Sequence, residues 1–252
     1  MSWGLRSLSP LLAGIRTGRN RHNTDAISHL MKTISTTLIH RVLMPEDSSP
    51  PTHPTLILLH GRGADEEDLL GLSSHLDPRF LVLSARAPFA FPYGGGYTWY
   101  EVGTVGTPEP SMFKTSFEKL STFVQDAIAQ YPVDRQKVFL LGFSMGTVMS
   151  YAMALTQPHL FRGVVANSGY IPEGTHLELR WNAIASVEFL ITHGTMDPVI
   201  PVQLARRAKE LLTGANAKFS YKEYPMAHQI SEESLTDAAG WLQQRLQPLH
   251  KG

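Results

Sequence analysis

Apolar residues along the chain recur in short, nearly unbroken runs separated by longer segments of helical spacing. Runs fit strands at Thr36–Met44, Thr55–His60, Phe80–Ala85, Lys137–Phe143, Arg162–Asn167, Val187–Thr192 and Ala217–Tyr224. Several are apolar almost throughout, as strands covered on both faces must be. Helical patterns lie between them: Asp65–Leu76, Ser111–Gln130, Met145–Thr156, Val202–Leu212 and Ser231–Leu246. The last carries Leu235, Ala238, Ala239, Leu242 and Leu246 on one stripe, with Ser231 as N-cap before Glu232 and Glu233. Alternating strands and helices predict an α/β fold with a mostly parallel central sheet flanked by helices.

Two irregular stretches interrupt the alternation. Residues 87–110 mix aromatics with glycine and proline, and residues 169–182 join two strands. Loops of this length in a compact domain are usually functional, so both are expected near a site. The connection after Asn167 is too short for a large helical lid. The proline-rich residues 44–54 read as a loop between the first two strands, and residues 31–252 as a single α/β domain.

The first thirty residues differ. Arg6, Arg16, Arg19 and Arg21 precede the first acid, Asp25, and "LSPLLAGI" is too short and too broken by Pro10 and Gly14 for a secretory core. They are expected to be an extension upstream of a start at Met31, with an organellar presequence as the alternative; a cytoplasmic location is expected.

Composition removes several chemistries. The 252 residues hold no cysteine, which excludes disulfides, thiolate metal sites and a cysteine nucleophile. Lysine plus arginine equals aspartate plus glutamate at 22 each, so no net field draws the chain to nucleic acid or anionic lipid. No apolar run reaches the roughly 18 residues of a membrane span. No metal or cofactor is called for, and a homodimer is left open.

Against that background the stretch "KVFLLGFSMGTVMSYAMAL", residues 137–155, stands out. A Gly-x-Ser-x-Gly pentad is weak evidence alone, but this one ends a strand and opens a helix, as a nucleophile elbow requires. Gly142 and Gly146 remove side chains where the flanking backbones must touch, and the turn projects the Ser144 hydroxyl from the sheet edge. A serine hydroxyl needs a histidine base and an acid to orient it. Asp197 lies in a turn after the strand ending near Ile191, and His228 in the loop after the last strand. The order Ser144, Asp197, His228 is the expected one. Glu173 is the backup acid, because Glu188 and Glu223 fall within strands; His193 reads as a turn residue whose ring bonds backbone.

Oxyanion stabilisation needs two donors. The NH of Met145 opens the helix, and the His60-Gly61-Arg62-Gly63 turn can bring the NH of Arg62 beside it. A phosphate loop is excluded there, since Asp65, Glu66, Glu67 and Asp68 follow and no Gly-Lys-Ser/Thr does. Phe89, Phe91, Tyr93, Tyr97, Trp99 and Tyr100 crowd one loop; Phe91, Tyr97, Trp99 and Gly61 are the expected substrate contacts.

The patterns "LLHGRGADEEDL", "GGYTWYEV" and "GFSMG", followed by aspartate and histidine in order, resemble the phospholipase/carboxylesterase branch of the α/β-hydrolase superfamily, small bacterial esterases in particular. The branch also includes acyl-protein thioesterases. The resemblance spans roughly Thr36–Leu246 and implies an α/β-hydrolase fold with little or no lid, a Ser144–His228–Asp197 triad, and Arg62 and Met145 as the oxyanion hole. Met145 departs from the glutamine often found in thioesterases. The expected activity is serine carboxylesterase action on small-molecule esters of short to medium chain. The alternatives are a thioesterase, lysophospholipase or peptidase on the same machinery, and a non-catalytic binding protein.

Overall fold

Each of the seven predicted strand segments contributes to one seven-stranded sheet. The computed structural model describes residues 35–47 and 49–247; the N-terminal extension and the start at Met31 lie outside the described residues. The sheet strands are β1 (His40–Leu43), β2 (His53–Leu59), β3 (Leu81–Ala85), β8 (Val133–Phe143), β9 (Gly163–Asn167), β10 (Glu188–Gly194) and β11 (Lys218–Tyr224). Their order is β1-β3-β2-β8-β9-β10-β11. Only β1 runs antiparallel to its neighbour; every other pair is parallel.

That order fixes where a site can form. From β2 the chain moves to β3 on one side, then returns to β8 on the other. The loops leaving the carboxyl ends of β2 and β8 therefore part in opposite directions and open a crevice between them, the switch point at which open α/β sheets bind ligands. The loop after β2 holds Gly61 and Arg62; the one after β8 holds Ser144.

Among the described residues four α-helices cover the sheet: α1 (Pro110–Gln130), α2 (Met145–Thr156), α3 (Val202–Gly214) and α4 (Glu232–Leu246). Two apolar layers result. Ile57 and Leu59 of β2 face the layer that includes Phe123, Val148 and Leu212, whereas Leu56 and Leu58 face Trp241 and Leu242 of α4. This is the period-two alternation of a strand buried on both sides. Residues Met145–Leu155 of α2 are all buried, which accounts for its uniformly apolar and small composition. Ser231 caps α4 as expected, in a reciprocal capping box with Ser234.

One helix differs from expectation. Asp65–Leu76 is not an α-helix; a 3₁₀ helix occupies only Leu69–His75. Asp65 Oδ1 accepts from the Glu67 amide at 2.9 Å, a local turn that competes with helix initiation. Glu66 is drawn inward to a bidentate pair with Arg86. The loop of residues 87–110 contains two small ribbons, β4 (Phe89–Ala90) with β5 (Tyr97–Thr98), and β6 (Val102–Thr104) with β7 (Thr107–Pro108).

Candidate active site

Ser144 occupies the corner between β8 and α2 with φ 56° and ψ −117°, a conformation an L residue adopts only under constraint. Two glycines permit it. A Cβ on Gly142 would lie 2.5 Å from the carbonyl carbon of Gly146, and one on Gly146 would lie 1.8 Å from the Leu59 carbonyl oxygen. Both distances are far inside van der Waals contact, so these positions admit no side chain. The corner is held from β9: the Ser144 amide donates to the Asn167 carbonyl at 3.0 Å, and Thr147 Oγ1 donates to the same oxygen. The Asn167 amide nitrogen donates to the Gly142 carbonyl at 3.0 Å, while its Oδ1 accepts from Thr192 Oγ1 at 2.6 Å. Asn167 thus ties three strand ends together beneath the serine; its one sequence signal is a polar residue ending an apolar strand.

The three predicted residues converge. His228 Nε2 lies 2.9 Å from Ser144 Oγ, and His228 Nδ1 lies 2.7 Å from Asp197 Oδ2. Asp197 Oδ1 accepts from the amides of Val199 at 2.8 Å and Ile200 at 2.9 Å. Burial pushes the Asp197 carboxyl upward, yet hydrogen bonds from His193, His228 and the Ile200 amide outweigh it and hold the group below the usual carboxylate range. It is therefore ionised beside the imidazole. The Phe143 ring lies against His228, centroids 4.9 Å apart. The alternative acids are engaged elsewhere: Glu173 with Arg207, Glu188 with Arg162 and Arg245, and Glu223 with Arg206.

The loop after β2 closes on the serine. A Cβ on Gly61 would lie 3.1 Å from the Phe143 ring and 3.5 Å from Ser144 Cβ, which places the Gly61 backbone against the serine. Its shape is fixed by a lattice of bonds. His60 Nδ1 donates to the Gly61 carbonyl at 2.6 Å, and His60 Nε2 accepts from the Ala87 amide at 3.0 Å. Both partners dictate which nitrogen carries the hydrogen. Burial pushes this imidazole down to about 4, against the opposing effect of the Gly61 carbonyl. The amide of Gly63 donates to the Tyr97 carbonyl at 2.8 Å, and that of Tyr97 to the Ala64 carbonyl at 2.7 Å. The Arg62 side chain turns away, to Glu101 at 2.7 Å and across the Phe91 ring at 5.0 Å.

The aromatic loop corrects an expectation. Trp99 has no exposed surface, so it cannot line a substrate pocket; its indole NH donates to the His60 carbonyl at 2.9 Å. Tyr100 is equally buried, Phe91 packs against Gly63, and Tyr97 stacks with Arg86 at 4.4 Å. Trp99 and Phe91 thus pack against the turn of residues 60–63. Tyr93, at 75% exposure, is the member of the cluster that faces solvent.

Among the described residues no helix is long and apolar enough to cross a membrane, and no group of three or more histidines and acids could hold a metal ion.

Comparison with known proteins places this geometry. Residues 41–246 match the family model described as phospholipase/carboxylesterase. An acyl-protein thioesterase 1 of Candida albicans is 30% identical over 204 residues, 72% of this chain and 87% of that protein. The one from Debaryomyces hansenii is 32% identical over 161 residues, 59% of this chain and 68% of that protein. In three dimensions the Bacillus cereus carboxylesterase superposes with a TM-score of 0.72 at 25% identity, covering 82% of this chain and 94% of its own. The carboxylesterase from Mesorhizobium loti gives 0.73 at 20% identity, covering 85% and 97%. With the family pattern running through almost every strand and helix just described, the chain belongs to the phospholipase/carboxylesterase family of α/β hydrolases and is a carboxylic ester hydrolase.

Proposed function

We propose that the protein is a serine carboxylesterase acting through an acyl-enzyme on short- to medium-chain esters, with Ser144 as nucleophile, His228 as base and Asp197 as its partner. The observation that carries this reading is the unbroken run of contacts from Ser144 Oγ through the two His228 nitrogens to Asp197 Oδ2. As Oγ bonds to the ester carbonyl carbon, its proton passes to His228 Nε2, and the carbonyl oxygen becomes an oxyanion. The amides of Met145 and Arg62 receive that charge; loss of one such donor typically costs 10²–10³ in turnover, about 3–4 kcal/mol. The carbon–oxygen bond to the alcohol then breaks and the alkoxide takes the proton from His228. Water repeats the sequence: it gives a proton to His228, attacks the acyl carbon, and the acid departs as Oγ is reprotonated.

Chain-length preference follows from the covering elements. Among the described residues no long helical insertion overlies the sheet edge; residues 168–187 contain only a 3₁₀ helix at Trp181–Ser186. Soluble esters, processed in the cytoplasm, fit such a site better than the long acyl chains of triglycerides. A second reading, thioester hydrolysis, is favoured by the likeness to acyl-protein thioesterase 1 of Candida albicans. One experiment tests both. Nitrophenyl esters of increasing length and matched thioesters are assayed with wild type and Ser144→Ala. The expected outcome is a maximum at short to medium esters and a loss of at least about a thousandfold in the variant; a maximum at sixteen carbons, or residual turnover above that level, contradicts the proposal.

A further inference from the structure

His193 sits near the end of β10, four residues before Asp197, and is fully buried. Its Nε2 lies 2.8 Å from the Ile200 carbonyl oxygen and 3.3 Å from Asp197 Oδ2. Both oxygens only accept, so Nε2 carries the hydrogen. Nδ1 is buried without a partner, and the ring reaches its surroundings through Nε2–H alone. The same hydrogen also faces the carboxylate oxygen that holds His228.

The two Asp197 oxygens are thereby divided. Oδ1 takes two backbone amides, from Val199 and Ile200. Oδ2 faces two histidines, His228 at 2.7 Å and His193 at 3.3 Å. We propose that His193 is a positioning residue for the reaction, its Nε2–H clamping the Ile200 carbonyl and Asp197 Oδ2 together so that the oxygen bonded to His228 keeps its orientation and shares its charge between two donors. The inference rests on the serine-hydrolase reading and deepens it. A carboxylate already sharing one oxygen is a weaker partner for the imidazolium than a carboxylate aimed at His228 alone.

Other charged groups near the pair are accounted for. From β11, Glu223 is in register with His193, and its carboxylate is tied to Arg206 of α3 and to Tyr221. From β9, Asn167 is in register with Thr192 and is uncharged. His228 is faced by Asp197, Ser144 and the Phe143 ring.

The test uses the full chain with His193→Gln, which keeps an N–H at the reach of Nε2, His193→Asn, whose shorter amide falls short of it, and His193→Phe, which has no donor. Turnover and KM on nitrophenyl butyrate, and the pH dependence of Ser144 labelling by a fluorophosphonate, are compared. The glutamine variant should stay within about twofold of wild type, while asparagine and phenylalanine lose about tenfold in kcat with KM unchanged. In those two the acid limb should move up by about half a pH unit, because Oδ2 no longer shares its charge. A purely structural contact would leave the limb in place. An unmoved or downward limb in folded phenylalanine and asparagine variants, or a glutamine variant as impaired as phenylalanine, overturns the inference. If the phenylalanine variant does not fold, the glutamine and asparagine pair decides: recovery by glutamine alone supports it, and equal behaviour overturns it. Wild-type enzyme that hydrolyses the ester but is not labelled at Ser144 overturns the serine-hydrolase reading and this inference together; labelling that is indifferent to all three variants overturns this inference alone.

Discussion

His228 Nε2 lies 2.9 Å from Ser144 Oγ across 84 positions of sequence. No local geometry produces that contact; it exists because β8 and β11 end on the same edge of the sheet. Two groups that act on one proton should not contribute independently. His228→Ala is expected to lower ester turnover by about 10⁴, and adding Ser144→Ala should cost little more. Steady-state rates of the two single variants and the double variant check this; additive losses would separate the residues into unrelated roles.

The two glycine classes in the chain should respond differently to one methyl group. A Cβ on Gly146 meets the Leu59 carbonyl oxygen at 1.8 Å, and neither backbone can retreat from the middle of a buried sheet–helix contact. Gly146→Ala should cost about 3 kcal/mol or more and disrupt the elbow. Gly95 has φ 85° with nothing within 4 Å of a Cβ, so Gly95→Ala carries only the left-handed penalty of about 1–2 kcal/mol. Urea titration of both variants should show the first barely folded and the second mildly destabilised with its esterase rate largely kept.

Trp99→Phe separates bracing from packing. Phenylalanine fills most of the same buried volume but leaves the His60 carbonyl without the indole donor now 2.9 Å away. A buried acceptor without its partner costs about 1–3 kcal/mol. That carbonyl lies in the turn leading to Arg62, so, with the Arg62 amide in the proposed role of oxyanion donor, loosening this turn should lower kcat several-fold with KM nearly constant. A variant with raised KM and normal kcat would instead return Trp99 to the role of a substrate contact.

Which features the sequence disclosed follows from the forces that create them. β2, β3 and β9 are read directly because a parallel strand covered on both faces must be apolar at nearly every position. β8 runs back to Val133, beyond its apolar core, because Asp134–Gln136 continue the strand where it is solvated. The ribbons β4 to β7 are two or three residues long, too short to show any period. The convergence of Ser144, Asp197 and His228 follows from their places after the carboxyl ends of β8, β10 and β11, which the sequence pattern shows. The core position of Trp99 is not legible locally, because an aromatic residue in a glycine-rich loop has the same pattern whether it walls a pocket or fills the core; only the tertiary contact with His60 distinguishes them. The contact of His193 with Asp197 also depends on how the 194–200 turn folds back, information that neither residue carries locally.

His60 makes the turn after β2 sensitive to acid. In the folded protein burial pushes its imidazole down to about 4, and the ring's Nε2 is committed as acceptor to the Ala87 amide. In the unfolded chain the group returns to about 6.5. Above pH 6.5 both states are neutral and the contribution to stability is complete. As pH falls from about 6.5 to about 4 the unfolded chain binds a proton that the native ring refuses, so stability declines through that window. Below about 4 the folded ring is protonated as well and the decline from this group ends. The window spans roughly 2.5 units, on the order of 3 kcal/mol. His40, also lowered by burial, acts in the same direction, and the depressed Asp197 carboxyl adds a loss only below about pH 4. His60→Gln keeps an acceptor toward the Ala87 amide and has nothing to titrate. Unfolding free energies from urea titrations between pH 7.5 and 4.5 should therefore fall steeply in wild type and clearly less in the variant; equal slopes would mean that the buried His60 imidazole is not the group that the acid attacks.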